Sequence, residues 1–218
     1  PIASGVYQVN DAMKSDLYDH PIKEHASNLG GLIADDIARA LPDAKAYIAD
    51  PVVVDELDEI ARVSGHPLFK RISIFHALNQ KSIARQHAKS IMKHYEDLNL
   101  IIVHMGGGIT IGAHQKGKVI DVNQGLDGEG PFSPERSGTL PSGDLVRFCF
   151  SGKYSEKEVL KMVVGNGGIV AYLGTNSAYE AEQRALNGDE QAKFVLEALA
   201  YQVAKSIGSM VPVLKGEV

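Results

Sequence analysis

The segment Asn99-Leu100-Ile101-Ile102-Val103-His104-Met105 is a nearly unbroken apolar run of strand length that stops at Gly106-Gly107-Gly108. No other feature of the sequence constrains the fold as strongly. A run with so little polar alternation predicts a strand covered on both faces. The three glycines let the backbone come close to a ligand, and their N–H groups can ring phosphate oxygens with no side chain in the way. Taken alone, the pattern suits equally well a tight turn preceded by a core histidine. Residues 109–122 alternate around Gln115-Lys116-Gly117-Lys118 and predict a hairpin.

Around this centre the order of elements reads as α/β. Residues 28–41 place Leu32, Ile33, Ile37, Ala38 and Leu41 at helical spacing and are closed by Pro42. Residues 46–49 form a β-prone run that ends at Asp50-Pro51, leaving a carboxylate at a strand tip. A short helix is expected over 56–63, and a longer one, with basic residues on its exposed face, over about 78–95. Residues 121–143 carry five glycines and three prolines, and a loop longer than about 12 to 15 residues in a compact domain usually has a function. Helical patterns cover 143–150 and 155–163, break at Gly165-Asn166-Gly167-Gly168, and return from about 178 to the end with an interruption at Gly188-Asp189. No internal repeat or low-complexity tract is present.

Composition narrows the function. The chain of 218 residues exceeds the usual single-domain size of about 100 to 200 residues yet is short for two complete enzyme domains. The net charge of -5 offers no basic excess for nucleic acid or an anionic membrane surface. No apolar stretch reaches the roughly 18 residues of a membrane span. The lone Cys149, in the mostly apolar run Leu145-Val146-Arg147-Phe148-Cys149-Phe150, is expected in the core of a protein from a reducing compartment, the cytoplasm. With neither an initiating Met nor a clear structural terminator at residues 214–218, the sequence reads as a fragment at both ends.

The glycine turn resembles the phosphate loop of acetate and butyrate kinases, which carry a histidine, one residue and then a glycine-rich turn between two hairpin strands. Glu24-His25-Ala26-Ser27-Asn28-Leu29-Gly30-Gly31, Asp50-Pro51-Val52-Val53-Val54-Asp55-Glu56 and Ser73-Ile74-Phe75-His76-Ala77-Leu78-Asn79-Gln80-Lys81 resemble segments of the same family. So do Asp127-Gly128-Glu129-Gly130-Pro131-Phe132-Ser133-Pro134-Glu135-Arg136-Ser137-Gly138 and Ala171-Tyr172-Leu173-Gly174-Thr175-Asn176. These segments run in order, at similar spacing, along essentially the whole chain. The resemblance implies the two-domain fold of the sugar kinase, actin and Hsp70 superfamily. Residues 1–50 would be the remainder of the acyl-substrate domain and residues 51–218 most of the nucleotide domain. It also moves the expected start of the long basic helix back to His76.

The activity so implied is reversible phosphoryl transfer between ATP and a short straight or branched carboxylic acid, with Mg2+ as cofactor and self-association of the chain. Position by position, Asp50 matches the interdomain carboxylate that helps hold the magnesium, and His76 and Arg136 match residues lining the transferring phosphoryl group. His104, Gly106, Gly107 and Gly108 match the phosphate loop, Gly174 and Asn176 the nucleoside contact, and His25 and Asn28 the acyl side. The chemistry agrees with this cast. A carboxylate with a pKa near 4 is already ionised at neutral pH and needs no general base, so the protein must supply positive charge and alignment.

Three departures stand out. Gly107 replaces the asparagine usual in acetate kinases, which favours the butyrate branch. Ser177 and Tyr179 replace an expected Asp and Arg, so that Tyr179 would stack on the base and nucleotide selectivity would be loose. The family's opening strand with its first phosphate loop, and the later glycine pair that grips the adenosine, are not among these residues. Two other readings remain at this stage. A hydroxyl kinase of the same superfamily would use Asp50 as a base, and a nucleotide-binding regulator would have lost the chemistry.

Overall fold

The computed structural model describes residues 2–19, 21 and 27–218, with the side chain of Ser27 also excluded. The chain opens with β1 (Val6–Gln8), α1 (Asp11–Tyr18), α2 (Ser27–Arg39) and β2 (Tyr47–Ala49). Strands β1 and β2 pair antiparallel, with Val6 opposite Ala49. Asn10 starts α1 as its N-cap, accepting from the Met13 N–H. Gly31 gives α2 its close approach to this layer, since a Cβ there would lie 2.6 Å from Ile48. Of the apolar positions expected on one face of this helix, Leu32 and Ala38 are half-buried, while Ile33, Ile37 and Leu41 are exposed.

The centre of the molecule is the antiparallel sheet β3 (Asn99–Met105), β4 (Ile109–Gln115) and β5 (Lys118–Val122), in that order. Lys116 and Gly117, both with positive φ, make the two-residue turn between β4 and β5. Helix α3 (Ala77–Ser90) covers one face. The other face meets α6 (Ile169–Leu173), α7 (Ala178–Leu186) and α8 (Glu190–Val213). Leu100 and Ile102 pack towards Ala84, Ala88 and Tyr95, whereas Ile101 and Val103 pack into the cluster of Ile111, Ile169, Leu199 and Val203. Thus β3 is covered on both faces as expected but is half-buried along most of its length, whereas β4 is buried from Ile109 to His114.

Several local expectations are corrected. Residues 56–63 contain only a short 3-10 turn, Glu59–Arg62, because the Asp58 N–H is drawn to the Ile120 carbonyl in the hairpin. Helix α3 ends at Ser90, and Tyr95–Asp97 forms a separate 3-10 turn. Lys81, expected on the exposed face, is 1% exposed. It pairs with Glu56 at 2.7 Å and donates to the Gly117 carbonyl, which ties α3 to the hairpin. Cys149 is exposed at the end of α4 (Ser142–Cys149). That helix buries none of its residues, and its Phe148 stacks on Tyr154. Helix α5 (Glu156–Val163) follows a capping box at Ser155 and Glu158. Among the described residues no helix is long and apolar enough to cross a membrane.

Candidate active site

Asp50 follows β2 directly and is buried, with φ at 40°. That left-handed backbone is uncommon for a residue with a side chain, although Asp tolerates it better than most. One carboxylate oxygen accepts from the Ser4 hydroxyl at 2.6 Å and the Gly5 N–H at 2.9 Å, and the other accepts from Arg85 at 3.0 Å. Burial alone would raise the pKa of Asp50. The hydrogen bonds from Ser4, Arg85 and Gly5 outweigh it and hold the carboxyl below its ordinary range. An ionised carboxylate that accepts three hydrogen bonds is a poor proton acceptor.

Asp50 and His76 line the same cavity of about 1020 Å³, together with Asn28, Ile48, Val53 and Leu78 among others. His25 lies outside the described residues. His76 is the N-cap of α3, as the revised helix start requires. Its ring stacks on that of His104, with centroids 3.7 Å apart and planes 11° from parallel. The register of β3 and β4 sets Thr110 opposite His104, and the Thr110 hydroxyl meets His76 Nδ1 at 3.0 Å. His104 Nδ1 meets Asn79 Oδ1 at 2.8 Å, and burial lowers the His104 pKa.

The turn after His104 leads to Arg136. Gly106 donates to the Gly108 carbonyl at 3.0 Å. A Cβ on Gly108 would collide with the Arg136 guanidinium and approach the Gly125 carbonyl, so only glycine lets the arginine lie against this turn. Arg136 Nη1 donates to the Gly125 carbonyl, while its buried Nε has no partner among the described residues. Burial lowers the Arg136 pKa, countered in part by Glu135 and Asp127, and the side chain remains a cation at neutral pH.

The loop carrying Arg136 is held from two sides. The Ser133 hydroxyl donates to the Gly107 carbonyl at 2.6 Å. The Ile169 and Val170 N–H groups at the start of α6 donate to the Ser133 and Pro134 carbonyls. Gly168, with φ at 62°, leads into α6 so close beneath the loop that a Cβ there would strike the Ser133 carbonyl. Helix α6 was not foreseen, since five residues after Gly165-Asn166-Gly167-Gly168 are too few for a helical period to be seen.

Gly174 terminates α6 in left-handed conformation, and Asn176 reaches Glu135 Oε2 at 3.5 Å. The other oxygen of Glu135 faces Gly107, at 3.6 Å from where a Cβ would stand. The structure therefore gathers His76, His104, Gly106, Gly107, Gly108 and Arg136 around one turn, with Asn176 joined through Glu135 and Asp50 across the cavity. Ser177 is the N-cap of α7, its hydroxyl accepting from the Glu180 N–H, and Tyr179 is exposed. Sequence reasoning missed Asn79, Thr110, Ser133 and Glu135. Asn79 alone carried a signal, standing three residues after His76 on a helix.

Similarity to other proteins shows the family and the fold. Residues 68–218 match the family described as the Acetokinase family. Over its whole length the chain is 60% identical to Butyrate kinase 2 of Clostridium acetobutylicum, of which it covers 61%. It superposes on the crystal structure of acetate kinase from Porphyromonas gingivalis with a TM-score of 0.81 at 19% identity, covering 97% of this chain and 55% of that one. For a propionate kinase from Francisella tularensis the TM-score is 0.79 at 22% identity, covering 97% and 57%. These structures carry the α/β fold, and the chain spans little more than half their length. With the family matched over most of its residues, the chain belongs to the acetokinase family.

Proposed function

We propose that the chain carries much of the active site of an ATP-dependent carboxylic-acid kinase whose preferred acid is about the size of butyrate. The observation that supports this best is the convergence of Arg136, the stacked His76 and His104, and the Gly106 to Gly108 backbone on one turn beside the cavity. In the forward direction a carboxylate oxygen attacks the γ-phosphorus of ATP, the bond to the bridging oxygen breaks, and ADP leaves with that electron pair. No proton need be removed from the acid. Arg136 and His76 would stabilise the equatorial oxygens, and the glycine N–H groups would hold the phosphates.

Magnesium, when bound with the nucleotide, would neutralise phosphate charge. Among the described residues no three His, Cys, Asp or Glu side chains could hold a metal ion. Asp50 therefore fits as a single carboxylate beside a nucleotide-borne ion, with its ionised state maintained by Ser4 and Arg85. The depressed Asp50 pKa also disfavours the hydroxyl-kinase alternative, which would need this carboxylate as a base.

The acid side of the reading rests on the apolar lining of the cavity by Ile2, Met13, Leu17, Ile48, Val53 and Leu78. Each buried methylene is worth about 0.8 kcal/mol, so two give roughly tenfold to twentyfold discrimination against acetate. Catalytic efficiency of the full-length enzyme over acetate, propionate, butyrate, isobutyrate and valerate is expected to peak near butyrate. A peak at acetate would overturn the assignment of chain length.

Gly107 tests the phosphate turn separately from folding. A Cβ there meets nothing closer than the Glu135 carboxylate at 3.6 Å, so the protein itself has room for a larger side chain. Gly107→Val is expected to leave the thermal midpoint within a few degrees and to weaken ATP binding about tenfold or more, roughly 1.4 kcal/mol. Unchanged ATP affinity in the folded variant would make the turn structural only.

A further inference from the structure

Behind His76 runs a buried hydrogen-bonded chain that takes no direct part in the reaction above. Tyr95, His114, Gln80 and Thr110 are all buried, three of them completely. The alternation of β4 sets Thr110 and His114 on its α3-facing side with Gly112 between them. Gly112 makes the room for Gln80, since a Cβ there would lie 2.5 Å from Gln80 Oε1.

The polarity of this chain can be read from its one fixed acceptor. Gln80 Nε2 lies 3.1 Å from the Thr110 main-chain carbonyl, which can only accept, so the amide nitrogen must face Thr110 and Oε1 must face His114. His114 Nε2, 2.9 Å from Oε1, is then the protonated nitrogen. Its Nδ1 accepts from the Tyr95 hydroxyl at 2.6 Å. In the other direction Gln80 Nε2 also donates to the Thr110 hydroxyl at 2.8 Å. That hydroxyl keeps one proton, and His76 Nδ1 stands 3.0 Å away to accept it.

We propose that Tyr95, His114, Gln80 and Thr110 are positioning residues that fix His76 as the Nε2-protonated neutral tautomer, so that it meets a phosphoryl oxygen as a hydrogen-bond donor. Burial keeps His114 neutral, with a pKa pushed down to about 3, as the relay requires. Face-to-face stacking on His104 also disfavours two adjacent cations. The inference rests on the kinase reading only for what His76 donates to. The tautomer rests on the Thr110 hydroxyl, which already accepts from Gln80, giving its one proton to His76 Nδ1.

The direct test is the ring 15N chemical shifts of His76 at neutral pH. The wild-type protein is expected to show a protonated Nε2 and an unprotonated Nδ1. Thr110→Val, nearly isosteric, is expected to give a mixed tautomer, and Thr110→Ser to restore the single one. In the full-length enzyme the same pair should lower and then recover kcat, by at least about tenfold, with KM for ATP little changed, since a histidine held in the wrong tautomer loses its catalytic advantage. Gly112→Ala, which displaces Gln80 without touching His76, should reproduce the tautomer change if Thr110→Val fails to fold. A protonated Nδ1 in the wild type, or an unchanged ring in both Thr110→Val and Gly112→Ala, would overturn the relay. A correct tautomer in an enzyme inactive on every acid would leave the relay standing and overturn the kinase reading instead.

Discussion

Arg136→Ala is expected to lower turnover of the full-length enzyme by roughly a hundredfold or more, about 2.7 kcal/mol or above, while ATP affinity changes little. The guanidinium lies against the Gly108 turn, anchored at one nitrogen by the Gly125 carbonyl, with its buried Nε unpartnered among the described residues. A buried donor without a partner is destabilising in the resting protein, and it becomes useful when negative charge develops beside it. That interaction would be stronger in the transition state than with bound ATP, which places the loss in kcat. Because Ser133 and the start of α6 hold the loop independently, the variant should fold. Steady-state kinetics with ATP and butyrate, alongside nucleotide binding, check both halves. Normal turnover in a folded Arg136→Ala protein would contradict the assignment.

A loss of stability on mild acidification is the second large effect expected, and it comes from His114. Its folded pKa of about 3 lies below the ordinary value of 6.5, through burial and then the nearby Lys81 charge. Between these values the unfolded chain takes up a proton that the folded protein refuses, so stability falls as pH drops from about 6.5 towards 3. Each pKa unit corresponds to about 1.4 kcal/mol, which puts roughly 2.7 kcal/mol at stake by pH 4.5. His104, also lowered by burial, adds in the same direction. Carboxylates with depressed pKa values, such as Asp50, lose their contribution only at lower pH. Denaturant midpoints measured from pH 7 to 4.5 should decline for the native sequence and decline much less for His114→Gln. Parallel declines would show that His114 is not the group responsible.

Those two residues differ in how far the sequence exposed them. Arg136 could be found because it stands in a contiguous motif, and the same holds for His76, His104 and the three glycines. The β3–β4 turn and the β4–β5 hairpin were legible for a local reason, since apolar run, glycine turn and Lys116-Gly117 all lie within residues 99–122. Tyr95, Thr110 and His114 could not be found this way, because each is an ordinary polar residue whose meaning depends on α3 lying over β4, and Gln80, although it stands in the His76 segment, takes its role from the same packing. Lys81 was misread for the same reason. Its charge suggested solvent, and only the approach of Glu56 and the Gly117 carbonyl shows why it is buried. Cys149 and the α2 stripe erred in the opposite direction, because apolar neighbours in sequence did not acquire apolar neighbours in space.

The most direct measurement of the central claim is the product itself. The full-length enzyme would be incubated with ATP, Mg2+ and butyrate in the presence of hydroxylamine, which traps an acyl phosphate as its hydroxamate. Butyryl hydroxamate is expected to accumulate in step with ADP and to depend on Arg136. ADP release without hydroxamate, or phosphate appearing only on a hydroxyl acceptor such as a sugar, would contradict carboxylate phosphorylation.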